Sequence, residues 1–263
     1  MSLTRTELKD IASLLTKKGR KLKHQFLAEG VRLLEEADRH NYRPLVVYWS
    51  ESMLSERGRA LVTRLRGQKI PLQELPARQL AAIADSRSPQ GIVGRFSVPG
   101  MHLTELLARR TRSVLVCENI SDPGNLGTLF RSALAFGFDD VILAGNCAEP
   151  WSPKVARASA GALFGLNLAV DSTDQILGAM QQHRFVIVAA DIGGSMDLDR
   201  LQADLPDAPV AVAIGSEAEG LSDALLHTAT LRVRVEHSPK VESLNAAVAG
   251  SILMREIYHR NRG

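Results

Sequence analysis

The stretch Asn119-Ile-Ser-Asp-Pro-Gly-Asn-Leu-Gly-Thr-Leu-Phe-Arg-Ser-Ala-Leu-Ala-Phe-Gly137 decides how the rest of the chain is interpreted. It follows a short apolar run, residues 113–117, whose length and composition predict a buried strand. Residues 122–125, Asp-Pro-Gly-Asn, have turn chemistry, because proline fixes φ and both glycine and asparagine tolerate positive φ. From residue 126 apolar side chains recur at helical spacing, and Gly137 predicts the helix end. The stretch is therefore a strand, a tight polar loop and a helix.

A loop of this kind can bind an anion, because backbone N–H groups at a helix start point toward the ligand. Arg131 lies further into the predicted helix, and helical side chains lean toward the N-terminus. Its guanidinium can therefore reach the same anion. The alternative is a helix with an asparagine cap and a surface arginine, and the spacing alone leaves both open.

Composition excludes several classes of protein. The 263 residues suffice for one large domain or two ordinary ones, and 45% hydrophobic with 23% charged residues is typical of globular proteins. The longest apolar runs are strand-sized, so we expect no membrane association, and the N-terminus lacks an apolar signal core, so we expect a cytoplasmic protein. Cys117 and Cys147 lack partners at ligand spacing, so we expect neither a metal site nor a disulfide.

Positive charge is concentrated at the N-terminus, although the net charge is only +3. Up to residue 24 there are seven lysines and arginines against two acidic residues, and we interpret residues 17–23 as a polar loop after a basic helix. Such a block can contact phosphates, and the alternative is a solvated helix face. The candidate phosphate contacts are Lys17, Lys18, Arg20, Lys21 and Lys23, together with Arg131.

Strands and helices alternate along the whole chain. Residues 1–97 predict a small α/β domain, Val98-Pro-Gly100 breaks regular structure, and an entering helix completes a linker over 98–109. In 110–263 near-continuous apolar strands interleave with helices, which predicts a parallel sheet covered on both faces. Ligands of such sheets bind at the carboxyl ends of the strands.

Two further loops follow predicted strands of this sheet. Gly215-Ser-Glu-Ala-Glu-Gly-Leu-Ser222 has glycines that allow close backbone approach to a ligand, but it also fits a turn with solvated acids. In the loop after residue 235, Ser243 predicts the N-cap of a last helix over 243–258. Asn245 then lies in its first turn, where its amide bonds either back to the helix or to a ligand. We interpret His237 as a surface residue.

Together these loops resemble the three motifs of the SpoU (TrmH) branch of the SPOUT RNA methyltransferases. The matching segments are Asp122-Pro-Gly-Asn-Leu-Gly-Thr-Leu-Phe-Arg-Ser-Ala133, Ile214-Gly-Ser-Glu-Ala-Glu-Gly-Leu-Ser222 and Val241-Glu-Ser-Leu-Asn-Ala-Ala-Val-Ala249. Between them, Lys154-Val-Ala-Arg-Ala-Ser-Ala-Gly-Ala-Leu-Phe164 resembles the Lys-x-x-x-x-Ser-x-Gly-Ala segment of the family. Neither a Rossmann glycine fingerprint nor a P-loop is present in the sequence. The resemblance covers about 110–260, and residues 1–97 are similar, more loosely, to a small ribosomal-protein-like RNA-binding domain.

The resemblance implies an α/β fold, in which a parallel-sheet SPOUT domain (110–263) with a C-terminal trefoil knot follows a small α/β RNA-binding domain (1–97). It implies S-adenosylmethionine as cofactor and a homodimer formed through the knot region and helix 243–258. The implied activity is methyl transfer to a ribose 2′-hydroxyl, with ribosomal RNA as the expected substrate; tRNA methylation or a non-catalytic RNA-binding role in ribosome assembly are the alternatives. The implied catalytic residues are Asn125, Arg131, Glu217, Ser243 and Asn245. The implied cofactor-binding residues are Ala213, Ile214, Gly215, Glu217, Gly220, Val233, Val235, Leu244 and Asn245.

The implied roles fit the chemistry, since a ribose hydroxyl is a poor nucleophile that needs alignment and help in losing its proton. Arg131 would bind the phosphate beside the target ribose and, as proposed for this family, accept the proton through that arrangement. Asn125 would hold the ribose or the arginine, and Glu217 would position either residue. A metal is not required, because the sulfonium makes the methyl group electrophilic.

The sequence departs from the family where many relatives have Ile-Pro-Met, since residues 235–237 are Val-Glu-His. Backbone contacts to the adenine need no particular side chain, so we expect them to persist. The expected change is in the shape of the adenine pocket.

Overall fold

The computed structural model describes residues 2–109 and 111–260, and it folds as two compact units. The first contains Met1–Gly100 and Glu149–Gly165, and the second contains Met101–Ala148 and Leu166–Gly263. A single cut at the linker 98–109 therefore does not separate them, since 149–165 packs with the N-terminal unit. Residues 110 and 261–263 of the predicted catalytic domain lie outside the described residues. The functions assigned to the two domains stay predictions.

The first unit is the expected small α/β structure. Its helices are α1 (Arg5–Ala12), α2 (Lys17–Lys23), α3 (Val31–Arg39), α4 (Glu56–Gly67) and α5 (Ala77–Ile83), with 3-10 turns at Ser13–Leu15 and Glu51–Met53. Its strands are β1 (Gln25–Glu29), β2 (Val46–Trp49), β3 (Leu72–Glu74) and β4 (Ile92–Ser97). They form a sheet of order β1-β4-β2-β3, in which β4 runs antiparallel to both neighbours and β3 runs parallel to β2.

The segment 149–165 completes the core of this unit. Trp151 packs against Phe26 with ring centroids 4.9 Å apart, and Phe164 packs against Phe96 at 5.1 Å. All four rings are buried. Since each aromatic side chain buries a large apolar area, a stretch distant in sequence is held in the first unit by these contacts.

The predicted polar loop over 17–23 is wrong, because these residues form helix α2. The Thr16 hydroxyl caps the helix by accepting a hydrogen bond from the Gly19 N–H at 3.1 Å. A Cβ at Gly19 would lie 2.0 Å from the Ser13 carbonyl oxygen, so only glycine allows α2 to pack this closely on the preceding turn. His24, at φ 50°, ends the helix in the left-handed region.

The second unit is built on a parallel sheet of seven strands. The strands are β5 (Ser113–Glu118), β6 (Asp140–Ala144), β7 (Asn167–Asp171), β8 (Val186–Ala190), β9 (Met196–Asp197), β10 (Val210–Ile214) and β11 (Leu231–Arg234). The helices of this unit are α6 (Leu103–Ala108), α7 (Pro123–Ala135), α9 (Thr173–Gln182), α10 (Leu198–Asp204), α11 (Asp223–Thr228) and α12 (Ala246–Arg260), while α8 (Pro153–Ala158) and a 3-10 turn (Ala162–Gly165) belong to the first unit. The sheet order is β7-β6-β5-β10-β8-β11-β9.

The parallel sheet predicted for this region is confirmed, and β5 and β10 lie side by side at its centre. Both strands are buried along their whole length, which explains their near-continuous apolar sequences. The short elements β9 and α10 were not predicted. The trefoil knot stays a prediction.

The last helix begins at Ala246, three residues later than predicted. Its cap is Asn245 instead of Ser243, because the Asn245 Oδ1 accepts hydrogen bonds from the Ala247 N–H at 3.0 Å and the Val248 N–H at 3.2 Å. Serine and asparagine are both good caps, so the choice between them was not fixed by residue type.

None of the helices within the described ranges is both long and apolar enough to cross a bilayer.

Candidate active site

The helix α7 begins with the predicted tight loop. The Asp122 side chain caps it, with Oδ1 accepting a hydrogen bond from the Asn125 N–H at 2.8 Å, and Pro123 occupies the first turn, where a missing N–H costs nothing. Asn125 is therefore held in the first turn at the carboxyl end of β5, half-buried.

The loop after β10 is a tight turn closed by its glycines. The Ser216 N–H donates to the Gly220 carbonyl at 3.1 Å, and the Gly220 N–H donates to the Ser216 carbonyl at 2.9 Å. A Cβ at Gly215 would lie 2.2 Å from backbone atoms of Gly220, and Gly220 itself has φ +70°. The turn leaves Glu217 exposed at its tip.

The helix α12 is fixed against α7 by small residues. A Cβ at Gly250 would lie 2.7 Å from the Leu129 side chain, and the hydroxyls of Ser132 and Ser251 are 2.6 Å apart. This close packing brings the start of α12, and with it the capping Asn245, beside the start of α7.

Three predicted residues from the three loops form one hydrogen-bonded cluster, which we call the amide–carboxylate cluster: Asn125, Glu217 and Asn245. Glu217 Oε1 accepts from Asn125 Nδ2 at 3.0 Å and from Asn245 Nδ2 at 2.5 Å. Asn245 Nδ2 also donates to Asn125 Oδ1 at 2.9 Å. The Asn245 amide therefore bonds back to α12 through Oδ1, as one of the two alternatives predicted, and Nδ2 bonds to two side chains of the cluster. The second N–H of Asn125 and Glu217 Oε2 bond to no other described residue, which leaves them available to a ligand.

Arg131 does not join this cluster. It lies six residues beyond Asn125 on α7, a rise of about 9 Å, and its side chain is exposed. Within the described part of the chain it makes no hydrogen bond or ion pair. The guanidinium is thus free to bind an anion from solution.

A cavity of about 340 Å³ lies beside the cluster, at the carboxyl ends of β8, β10 and β11. This volume is within the range of small-molecule sites. It is lined by Ala190, Asp191, Ile192, Ile214, Gly215, Ser216, Glu217, Ala218, Glu219, Gly220, Leu221, Leu226, Val233, Val235, His237, Ser243, Leu244, Ala246 and Ala249. Seven of the nine predicted cofactor-binding residues are in this lining, together with Ser243. The other two are Ala213, which is fully buried in β10, and Asn245, which lies in the cluster.

The sequence interpretation missed two parts of the lining. Asp191 and Ile192 follow β8, and the rule that ligands bind at the carboxyl ends of parallel strands would have pointed to them. His237, interpreted as a surface residue, is instead half-buried and lines the cavity.

Glu118 is a further residue that the sequence interpretation missed. This carboxylate ends β5 and is only 2% exposed. It accepts hydrogen bonds from the Ser222 N–H at 2.7 Å, the Ser222 hydroxyl at 3.0 Å and the Thr173 hydroxyl at 2.7 Å. Since Ser222 ends the loop that carries Glu217, Glu118 ties this loop to the strand that precedes Asn125.

The thiols of Cys117 and Cys147 are not reactive nucleophiles near neutral pH. Burial raises the pKa of Cys117 well above its usual range, and burial also raises the pKa of Cys147. The Cys147 thiol donates to the carbonyls of Cys117 and Ala144, each at 3.3 Å. Both thiols are therefore protonated near neutral pH and serve packing.

The basic residues predicted to contact RNA divide into two groups in the first unit. Lys17, Lys18 and Lys21 are exposed on α2, and we call them the α2 lysine face. Arg20 is 5% exposed, forms a 2.6 Å ion pair with Glu149 and donates to the Leu14 carbonyl. Its guanidinium is engaged inside the protein, so Arg20 is a weaker candidate for an RNA contact than the α2 lysine face.

Lys23 is half-buried and paired with Asp10, which makes it a weaker candidate than the α2 lysine face.

Comparison with known proteins places this site in a family. The sequence model described as "SpoU rRNA Methylase family" matches residues 112–255, more than half of the chain. The chain belongs to the SpoU rRNA methylase family. A second model, "MRM3-like substrate binding domain", matches residues 5–94.

Relatives of this family member are similar along nearly its whole length. The "Uncharacterized tRNA/rRNA methyltransferase slr1673" of Synechocystis sp. is 31% identical, over 97% of this chain and 92% of the relative. The "23S rRNA (guanosine(2553)-2'-O)-methyltransferase RlmP" of Bacillus subtilis (strain 168) is 28% identical, over 96% of this chain and 95% of the relative. The solved structure of an AdoMet-bound rRNA methyltransferase from Sinorhizobium meliloti has a TM-score of 0.83 and 25% identity, over 99% of this chain and 98% of that one.

Proposed function

We propose that this SpoU family member transfers a methyl group from S-adenosylmethionine to a ribose 2′-hydroxyl of ribosomal RNA. The observation that carries the proposal is the amide–carboxylate cluster, in which side chains from three loops meet beside a cavity of small-molecule size. The named activity of the Bacillus subtilis relative supports the 2′-O-ribose and ribosomal RNA parts.

The cavity fits S-adenosylmethionine in size and in the chemistry of its lining residues. Part of the lining is apolar, including Val233, Val235 and Leu244, and suits a purine ring. The lining also contains carboxylates, including the exposed Glu219, which suit ribose hydroxyls and cationic groups. When bound, the cofactor supplies an electrophilic methyl group on a sulfonium. The AdoMet-bound structure of the Sinorhizobium meliloti relative supports this assignment.

The cluster and Arg131 would prepare the acceptor ribose. Glu217 fixes both amides, so the remaining N–H of Asn125 keeps one direction and can hold a ribose oxygen. Arg131, exposed and without a protein partner among the described residues, would bind the adjacent phosphate. We assign it to the phosphate and not to proton removal, because a guanidinium stays protonated at ordinary pH. Ser243, on the cavity wall, would complete the polar side of the site.

The RNA would be held by the first unit, which includes the match to a substrate-binding domain, through the α2 lysine face. Exposed lysines suit this task because phosphate contacts supply sequence-independent affinity. We also propose a homodimer in the cytoplasm, formed through the knot region and α12. Val248 of α12 is 46% exposed and apolar, which supports this helix as an interface.

Two measurements test the function. Isothermal titration calorimetry of the full chain with S-adenosylmethionine should show binding, and a mass-spectrometric map of 2′-O-methyl nucleotides should show one ribosomal RNA site that disappears when the gene is deleted. If the methylated nucleotide that disappears on gene deletion is in a tRNA, the result would instead support the tRNA alternative. No cofactor binding, with or without RNA, would support the non-catalytic alternative. Sedimentation measurements test the dimer separately.

A further inference from the structure

The charge distribution of the cavity lining is uneven. Three carboxylates line it, those of Asp191, Glu217 and Glu219, and in the described lining no lysine or arginine faces them. Asp191 is ion-paired with Arg232 at 2.6 Å, and Glu217 accepts from two amides. His237 is the one imidazole of this lining, and it has no role in the amide–carboxylate cluster.

A hydrogen bond to the backbone fixes the His237 ring. Its Nδ1 lies 3.0 Å from the Val235 carbonyl oxygen. A carbonyl can only accept, so Nδ1 carries the proton, and in the neutral ring Nε2 is then an acceptor. The bond holds the ring next to Val235, which lines the same cavity as Val233 and Leu244. The lining thus contains an imidazole acceptor whose orientation is set by this bond.

We propose that His237 Nε2 accepts a hydrogen bond from the 6-amino group of the cofactor's adenine, and so selects a 6-aminopurine. The inference rests on the proposed cofactor. A flat purine suits the apolar lining residues Val233, Val235 and Leu244, and its amino group is a donor that matches the acceptor. A 6-oxo purine would place an acceptor against Nε2 and would be rejected, because a buried polar group without its partner is costly.

The test is a cycle of two ligands and matched variants of the full chain. The ligands are S-adenosylhomocysteine and its analogue with hydrogen in place of the 6-amino group, and titration calorimetry gives both dissociation constants. The wild type should bind the first about fivefold more tightly, the size expected for one neutral hydrogen bond. His237→Asn keeps a donor at the Nδ1 position but removes Nε2. His237→Phe removes both nitrogens, and both variants should bind the two ligands equally.

His227→Phe is the matched control. His227 also has its Nδ1 against a backbone carbonyl, that of Asp223 at 2.6 Å, but it is exposed on α11 and does not line the cavity. This variant should keep the fivefold preference. If the preference for the 6-amino ligand survives in His237→Asn, or is absent from the wild type, the role of His237 is overturned while the cofactor assignment stands. A wild type that binds neither ligand overturns the cofactor assignment together with it.

Discussion

Removal of the Glu118 side chain should loosen the loop that carries Glu217. In Glu118→Ala the two hydroxyls that now donate to the carboxylate can turn to other acceptors. The Ser222 N–H cannot, because its direction is set by the backbone. The Ser222 N–H would lose its acceptor, and the removed side chain, which is 2% exposed, would leave a void. Together these two effects should lower the free energy of unfolding by about 2–4 kcal/mol.

Glu118→Gln should cost less, about 1–2 kcal/mol. The amide oxygen can accept from the Ser222 N–H, and the amide nitrogen can donate to the hydroxyl oxygens of Thr173 and Ser222. Glu219→Ala is the control on the same loop. Glu219 is exposed and its carboxylate makes no hydrogen bond to a described residue, so the change should stay within about 0.5 kcal/mol.

Urea unfolding followed by far-ultraviolet circular dichroism measures these differences. Tryptophan fluorescence is unsuitable, because Trp49 and Trp151 both lie in the first unit. Hydrogen exchange of the Ser222 amide should accelerate in Glu118→Ala and locate the effect. A loss below about 1 kcal/mol, or a glutamine variant as unstable as the alanine variant, would refute the assignment of the Ser222 N–H as the decisive partner.

Three other changes separate structure from function. Arg131→Ala should keep the fold and the affinity for S-adenosylmethionine, since the exposed guanidinium has no partner among the described residues. The variant should nevertheless lose methylation, and normal turnover would contradict the role assigned to Arg131. Gly215→Ala should weaken cofactor binding at least tenfold, because its Cβ would meet Gly220 at 2.2 Å, whereas Gly178→Ala, with nothing within 4 Å, should leave binding unchanged in the same titration. Reversing the charge of the α2 lysine face should lower RNA affinity and reduce its salt dependence in filter binding. Arg20→Ala should instead lower the melting temperature, because it breaks the ion pair with Glu149. If charge reversal left RNA affinity unchanged while Arg20→Ala lowered it, the α2 lysine face would be excluded as the RNA contact.

The structure also changes how the first unit can be studied. A truncation that removes residues 1–97 would leave Trp151 and Phe164 without their aromatic partners Phe26 and Phe96. Such a fragment would expose apolar surface, and its failure to bind would say little about RNA contacts. Point substitutions on α2 avoid this.

The sequence by itself determined the class of fold and the three loops of the site. Buried parallel strands need apolar residues on both faces, and tight loops at their carboxyl ends need glycine, asparagine and proline, so both leave a strong local pattern. The resemblance of these loops to the SpoU motifs then implied Asn125, Glu217 and Asn245 as site residues before their contacts were known.

Only the tertiary structure decided which polar side chains form hydrogen bonds or ion pairs inside the protein. The sequence does not distinguish Arg20, paired with a glutamate 129 residues away, from the exposed lysines around it. Nor does it distinguish the buried Glu118 from the exposed Glu219, or predict that His237 lines a cavity. The physical reason is that burial and hydrogen-bond partners depend on residues far apart in the chain, whereas residue type and spacing carry only local information.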